Sequence, residues 1–237
     1  MYFKRRRQSM LINSLHFYSQ DMSTETKEQD SKRLSIVQYY LDNGIKYVCF
    51  DWDFTVLAIH TSRILLPFVS GRPSIDYLKW TEASGMDLTA YVKSLPSVDQ
   101  YANGELFKQV VLQCIENGIA VHIMSFGYRA LICGYVEALF GKDQKIFSDA
   151  NVHTPSNFGI NDFCSALGNK NQMLEKLGLA DTDKSAVIFY DDDVRNINAA
   201  MEDGFKNSVC VPASRGLSEE NLYFPFIART TDNCKIA

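Results

Sequence analysis

The stretch YVCFDWDFTV, residues 47–56, decides the fold of this chain. Its first four residues form a short apolar run that begins soon after Gly44 and ends at an acid. Such a run is typical of a β-strand that is buried on both faces. The sequence directly behind it, Asp-x-Asp-x-Thr, places the carboxyl groups of Asp51 and Asp53 at the end of that strand.

Outward from this stretch, helical patterns alternate with apolar strand patterns. Predicted helices cover residues 31–44, 105–117, 128–140, 170–177 and 193–203, and predicted strands cover 47–50, 119–124, 145–147, 186–190 and 208–211. This alternation predicts an α/β fold, a Rossmann-like, doubly wound parallel sheet with helices on both faces. Right-handed crossovers would bring the carboxyl ends of the strands to one edge, where ligands bind in such sheets.

Two segments do not follow this alternation. Residues 1–31 are polar and aperiodic, and we expect them to lie outside the core. Residues 60–104 contain three prolines and three glycines among short aromatic-rich pieces. They are predicted to form a small, mostly helical cap insertion over the strand edge. The α/β core then consists of residues 32–59 and 105–237.

The composition is that of an ordinary globular protein, with 46% hydrophobic and 22% charged residues among 237. A formal net charge of −4 gives no reason to expect nucleic acid or an anionic membrane as a partner. The six cysteines form no CxxC pair and are interpreted as reduced thiols of an intracellular protein. No apolar run approaches the length that spans a bilayer.

The N-terminal residues leave two locations open. The basic run at residues 4–7 precedes a stretch, Met10–Ser19, that is apolar and hydroxyl-rich and lacks acids. This pattern fits a mitochondrial transit peptide and equally a disordered basic tail. Because Met22 opens a stretch resembling an ordinary cytosolic start, we expect a cytoplasmic protein, with the mitochondrion as the alternative.

Polar groups that can carry chemistry follow the predicted strands in a definite order. Asp51 and Asp53 follow the first strand, Ser125 ends the second, Lys170 opens a helix, and residues 191–193 are three aspartates behind another strand. Taken singly, each is a weak signal, because aspartate is common at helix N-termini and lysine is common on surfaces. In a doubly wound sheet, however, these groups converge on one pocket.

Together these groups suit phosphoryl transfer. A phosphomonoester dianion repels a carboxylate nucleophile, so Asp51 can attack phosphorus only if the charge is neutralised. Mg²⁺ prefers oxygen ligands, and Asp51 with Asp191 or Asp192 supplies them. Attack by Asp51 would form an aspartyl-phosphate, a known type of covalent intermediate.

The remaining groups have complementary roles in the same reaction. Asp53 can protonate the leaving alkoxide and then activate the water that hydrolyses the acyl phosphate. Ser125 can donate a hydrogen bond to a phosphoryl oxygen, and Lys170 supplies a fixed positive charge.

Three further residues are weaker candidates. Arg129 stands at the predicted start of a helix behind Ser125 and could help to hold phosphate there. His60 could reach a substrate, although a hinge or surface role is the favoured interpretation. His122 alternates within an apolar strand and is interpreted as a core histidine with a satisfied hydrogen bond.

The chain resembles the haloacid dehalogenase superfamily. The matching motifs are FDWDFTV at residues 50–56, VHIMS at 121–125, Lys170 in NKNQML, and VIFYDDD at 187–193. The resemblance covers residues 47 to about 211. It implies a Rossmann-like sheet, Asp51 as nucleophile, Asp53 as general acid and base, and magnesium bound by the backbone carbonyl of Asp53. The second aspartate of the first motif implies the phosphatase branch.

The resemblance also implies roles for other motif residues. It implies phosphate contacts from Thr55, Ser125 and Lys170. Because the fourth motif has three acids, its magnesium ligand is open. We favour Asp191 as a direct ligand and Asp192 as a ligand through water, with residue 193 as a solvated helix start.

Other protein classes fit the order of motifs less well. A two-component receiver domain places its acidic pair first and its lysine last, whereas the acidic cluster comes last here. No GxGxxG follows the first strand, which argues against a nucleotide-binding oxidoreductase. We therefore predict a magnesium-dependent phosphatase that hydrolyses a phosphomonoester, either a small molecule or a phosphoprotein. The alternative is a catalytically inactive binding or scaffold protein of the same fold, and the oligomeric state stays open.

Overall fold

A computed structural model describes residues 36–61, 96–142, 146–148, 150–160 and 167–227. The predicted N-terminal segment 1–31 and residues 62–95 of the predicted insertion lie outside these ranges. The described strands are β1 (Tyr47–Phe50), β2 (Ala120–Met124), β3 (Val152–His153), β4 (Val187–Asp191) and β5 (Asn207–Cys210). The described helices are α1 (residues 36–42), α2 (Gly104–Glu116), α3 (Arg129–Phe140), α4 (Asn171–Glu175), α5 (Val194–Glu202) and α6 (Glu219–Ile227).

The strands form one parallel sheet in the order β3-β2-β1-β4-β5. In chain order, β2 and β3 lie on one side of β1, and β4 and β5 lie on the other side. The strand order therefore reverses between β1 and β4, and open α/β sheets bind ligands in the crevice at such a switch point. This topology confirms the predicted α/β, doubly wound parallel sheet.

Apolar side chains fill both faces of the sheet. All five residues of β4 are buried, as expected for a strand covered on both sides. Val48 and Phe50 face a core cluster that includes α1, α2 and α3, whereas Cys49 faces a second cluster that includes α4 and α5. None of the described helices is long and apolar enough to cross a membrane.

The third strand differs from its prediction. The apolar residues Ile146 and Phe147, predicted as a strand, pack against the core from a loop, with the Phe147 ring stacked on Phe107 at 6.5 Å between centroids. The ladder with β2 is formed instead by β3, residues 152–153. An apolar dipeptide that covers a helix has the same local pattern as a short strand, which explains the error.

The predicted insertion leaves and rejoins the core at neighbouring points. Leu57 forms an antiparallel bridge with Tyr101, and the N–H of Ala58 donates to the carbonyl of Gln100 at 2.8 Å. Residues 96–104 therefore lie against the core within the described part of the chain. The cap character of the insertion stays a prediction.

The segment after β5 packs on the loop that follows β1. The N–H of Leu217 donates to the carbonyl of Thr55 at 2.7 Å. Gly216, at φ +64°, lies so close to residue 102 that a Cβ atom there would be 2.3 Å from the Cβ of Ala102. The loop that carries Asp51 and Asp53 is thus held from the C-terminal side of the chain.

This close approach predicts a large effect for Gly216→Ala. We expect the free energy of unfolding to fall by about 2–4 kcal/mol, because the added methyl group overpacks the contact and a left-handed backbone disfavours alanine. Gly118→Ala is the matched control, since Gly118 has φ +74° but open space around its Cβ position. That variant should lose only about 1 kcal/mol. Equal losses in urea unfolding would contradict the packing argument.

A histidine pair joins β2 to β3. The Nδ1 atom of His122 lies 3.0 Å from Nε2 of His153, and the rings stack at 5.3 Å between centroids. His122 is therefore a histidine with a hydrogen bond, as predicted. Burial lowers the pKa of each ring to about 4, and Arg129 and Lys176 add to the effect at His153. One ring must accept the shared hydrogen bond and so stay neutral, which means that the pair can take up at most one additional proton without breaking it.

Stability should therefore fall on acidification. Both pKa values lie below the ordinary value near 6.5, so the unfolded chain binds protons first as the pH falls. The neutral histidine pair makes its full contribution to the free energy of unfolding above about pH 6.5. This contribution is lost as the pH falls from about 6.5 to 4, at on the order of 2 kcal/mol for each ring. Unfolding of the parent should show more loss in this window than His122→Gln/His153→Gln. Identical pH profiles would refute the assignment.

Candidate active site

The loop after β1 separates polar from apolar side chains. The N–H of Asp51 donates to the carbonyl of Tyr190 at 2.8 Å, which continues the pairing of β1 with β4. Trp52 is fully buried and packs edge-on against Tyr101, Phe107 and Tyr135, with centroid distances of 6.0–6.1 Å. This packing fixes the loop, because the indole cannot move without opening the core.

Lys170 links the ends of β1 and β4. It stands directly before α4 and is 2% exposed. Its Nζ atom donates to Oδ1 of Asp51 and, at 2.7 Å, to Oδ2 of Asp191. Burial alone would lower the pKa of Lys170, but the charges of Asp191 and Asp51 outweigh it and raise the pKa above its usual value. The ammonium therefore stays charged in this crevice.

Three carboxylates meet around this ammonium. Asp51, Asp191 and Asp192 each offer an oxygen, and these oxygens lie within 4.8 Å of one another. Burial raises the pKa of Asp51 well above its usual range, with Lys170 opposing the shift and Asp191 adding to it. The pKa of Asp192 is raised by burial and then by Asp191. Three carboxyl groups thus share one ammonium, so the cluster carries excess negative charge when all three are ionised.

The donor set fits a magnesium ion. Mg²⁺ selects hard carboxylate oxygens, and a divalent cation would balance the excess negative charge of this cluster. Asp191 accepts the N–H of Asp193 at 2.8 Å on Oδ1 and is also contacted by the Asn196 amide at 3.1 and 3.2 Å. These bonds fix its orientation. The assignment of Asp191 as direct ligand and Asp192 as ligand through water stays a prediction.

The carboxylate of Asp53 is held separately, by its own loop. Oδ1 accepts the N–H of Thr61 and Oδ2 accepts its hydroxyl, both at 3.0 Å. Nδ1 of His60 lies 3.0 Å from Oδ2. Burial raises the pKa of Asp53, whereas the His60 charge and the Thr61 hydrogen bonds act in the opposite direction. A raised pKa favours the protonated form of this carboxyl, which can donate a proton.

Ser125 lies at the end of β2 and is 1% exposed. Its Oγ accepts the N–H of Gly127 at 2.9 Å, so the hydroxyl hydrogen can be donated to a ligand. A Cβ at position 127 would come within 3.1 Å of that Oγ and 3.3 Å of the Thr61 hydroxyl. Glycine at this position therefore permits the close approach of β2 to the loop that holds Asp53.

A cavity of about 410 Å³ joins most of the predicted residues. Its lining includes Asp51, Asp53, Ser125, Lys170, Asp191 and Asp192. Thr55 is not among the lining residues, because its side chain is fully buried and donates to Oδ2 of Asp51 at 3.4 Å. Its predicted contact with phosphate stays a prediction. Asp193 lines the cavity and caps α5 by accepting the backbone N–H of Arg195, in line with a helix start.

Arg129 is engaged elsewhere. Its Nη1 donates to the carbonyl of Val152 at 2.7 Å and to Oδ1 of Asn157 at 2.9 Å, and it is not among the residues that line the cavity. The candidate role of Arg129 in holding phosphate is therefore wrong for this arrangement. The guanidinium instead connects α3 to β3.

Sequence reasoning missed two residues of the site, Thr61 and Asn196, which hold Asp53 and Asp191. His60 is a weaker candidate from the sequence, with a hinge or surface role favoured, and in the structure it contacts Asp53. Asn196 follows Asp191 by five residues and lies in the first turn of α5, which is a usable signal. The contact of residues 60 and 61 with Asp53 depends on a turn that has no comparable pattern.

The chain is similar to several solved structures. It shares 15% identity with L-2-haloacid dehalogenase from Xanthobacter autotrophicus, over 81% of this chain and 84% of that chain, with TM-scores of 0.38 for that enzyme and 0.37 for its form with covalently bound chloropropionic acid. It shares 14% identity with a HAD family hydrolase from Deinococcus radiodurans R1, over 78% of this chain and 89% of that chain, with a TM-score of 0.37. These neighbours belong to the family that the four motifs resemble. No protein-family model and no curated protein matches the chain.

Proposed function

We propose that this chain is a magnesium-dependent phosphatase that hydrolyses phosphomonoesters through Asp51. The observation that carries the proposal is the division of carboxyl groups in one cavity. Asp51, Asp191 and Asp192 cluster around Lys170, whereas Asp53 is held apart by Thr61 and His60. The first group suits nucleophilic attack on a charged phosphoryl group, and Asp53 suits proton transfer.

The reaction proceeds in two steps on this chain. In the first, a carboxylate oxygen of Asp51 forms a bond to phosphorus as the bond to the leaving oxygen breaks, and Asp53 gives its proton to that oxygen. In the second, Asp53 takes a proton from a water that attacks phosphorus, and the bond to Asp51 breaks to release phosphate. Asp51 and Asp53 thereby return to their starting forms.

The other residues bind and orient the phosphoryl group. Ser125 donates its hydroxyl hydrogen and Lys170 supplies positive charge beside Asp51. A magnesium ion held by Asp51, Asp191, Asp192 and the backbone carbonyl of Asp53 would neutralise the repulsion between nucleophile and phosphate. Thr55 holds Asp51 through its hydroxyl. The substrate class is a phosphomonoester, on a small molecule or on a protein.

Release of inorganic phosphate from 4-nitrophenyl phosphate tests this function. The full chain should turn over the ester with Mg²⁺, should lose activity with excess EDTA and should recover when Mg²⁺ is restored. Ca²⁺ is the matched ion control, because it demands longer bonds and more ligands and should support little turnover. No turnover on this ester and on a broad panel of phosphomonoesters would contradict the proposal and favour a binding or scaffold protein.

A further inference from the structure

The loop after β1 turns back on its own second aspartate. The N–H of Phe54 donates to the carbonyl of Ile59 at 3.3 Å, and Phe54 has a left-handed backbone with φ +58°. A positive φ is uncommon outside glycine and marks a turn that the surrounding structure imposes. As a result, His60 and Thr61 return to the carboxyl group of Asp53.

The two returning residues contact Asp53 in different ways. Thr61 is fully buried and binds both carboxyl oxygens, so it forms part of the rigid wall. The side chain of His60 is 45% exposed, lines the cavity and contacts Oδ2 of Asp53 through Nδ1. The Phe54 ring lies edge-on to the imidazole at 5.8 Å between centroids, which restricts its orientation. His60 therefore contacts Asp53 from the side where a substrate would enter.

We propose that His60 is a positioning residue, which orients the carboxyl group of Asp53 toward the oxygen of the leaving group. This inference rests on the proposed phosphatase function. In the step concerned, the bond from phosphorus to the leaving oxygen breaks, a bond from phosphorus to Asp51 forms, and the proton of Asp53 moves to the leaving oxygen.

The geometry gives His60 this role rather than that of a surface residue. Proton transfer needs the carboxyl oxygen within hydrogen-bond reach of the leaving oxygen, and small misplacements are costly. Thr61 occupies Oδ1 through its N–H, so the orientation of Oδ2 depends on the Thr61 hydroxyl and on His60. An imidazole nitrogen can donate to a carboxylate or accept from a carboxylic acid, so the contact is possible with Asp53 in either form.

The inference is tested by the dependence of rate on the leaving group. Phenyl phosphate and 4-nitrophenyl phosphate have nearly the same shape, but the phenolate of phenyl phosphate is the poorer leaving group and needs protonation more. For His60→Ala we expect kcat/KM to fall about 10–30-fold with phenyl phosphate and less than about 3-fold with 4-nitrophenyl phosphate. Because both esters are measured on one preparation of the variant, any inactive protein cancels in the ratio of the two kcat/KM values.

A conservative variant provides the control. The amide of asparagine can place a donor or an acceptor near the position of Nδ1, so His60→Asn should recover phenyl phosphate turnover to within about 3-fold of the parent. An equal loss with both esters in His60→Ala, or no loss with either, would overturn the inference. Those results leave the proposed function intact as long as the parent depends on Asp51. If the parent protein hydrolyses neither ester, nor any other ester of the phosphomonoester panel, both the role of His60 and the proposed phosphatase function would be overturned.

Discussion

Asp51→Asn is expected to lower phosphate release by at least about 10⁴-fold, the scale seen when a nucleophile is removed from other enzymes. The amide that replaces the carboxylate is a poor nucleophile and cannot form the acyl phosphate. It keeps the size of the side chain and an acceptor for the ammonium of Lys170. The variant should therefore fold normally, and the substitution should lower kcat while leaving the free energy of unfolding nearly unchanged.

A direct assay for the intermediate accompanies this variant. Parent enzyme quenched in acid during turnover should carry phosphate on the peptide that contains Asp51, and hydroxylamine should remove it, as expected for an acyl phosphate. Asp51→Asn should carry none. Because slow deamidation of the introduced amide would restore activity, Asp51→Ala serves as a second variant. Full activity in both variants would mean that the nucleophile lies elsewhere.

The ends of the central strands could be predicted from the sequence because their signals are local. The run before Asp51 and the run before Asp191 are apolar, short and bounded by acids, and both are buried strands in the structure. In a parallel sheet with right-handed crossovers, placing these strands next to each other also brings their ends together. The meeting of Asp51, Lys170 and Asp191 thus follows from topology rather than from any one motif.

The support around these residues could not be predicted in the same way. The bonds of Thr61 and His60 to Asp53 depend on the positive φ of Phe54, which no residue type at that position signals. The contact of Gly216 with Ala102 joins residues 114 positions apart. Such contacts arise only after the core has packed, so they leave no periodic pattern in the sequence.

The aspartates before α5 could be predicted only in part. Three successive aspartates leave the magnesium ligand open, with Asp191 favoured as the direct ligand and Asp193 as the helix start. The structure separates them by burial: Asp191 is fully buried and bonded to Lys170, whereas Asp193 accepts the N–H of Arg195 at the start of α5. The pKa of Asp193 is lowered, first by its hydrogen bond with Arg195, in contrast to the raised pKa of Asp192.

Lys170→Met should have the largest effect on stability. The substitution keeps the length of the side chain but removes the ammonium from between Asp51 and Asp191, both of which are buried. Breaking a buried ion pair in this way costs about 3–5 kcal/mol, because a desolvated charge is left without its partner. Urea unfolding near neutral pH in the absence of Mg²⁺ should show this loss. Lys176→Met is the matched control, since Lys176 is exposed and its cation–π contact with Phe158 should contribute less than about 1 kcal/mol.

Magnesium and acid should both reduce the deficit of Lys170→Met. Mg²⁺ should bind the variant more tightly than the parent, because the ammonium no longer competes with it for Asp51 and Asp191. At saturating Mg²⁺, each tenfold difference in affinity reduces the deficit by about 1.4 kcal/mol. The raised pKa of Asp51 means that the folded state loses stability as the pH rises through that value, and loss of Lys170 raises the pKa further. The deficit should therefore be largest at high pH and shrink on acidification. A deficit that is the same with and without Mg²⁺, and at every pH, would show that Lys170 stabilises the fold by packing rather than by its charge.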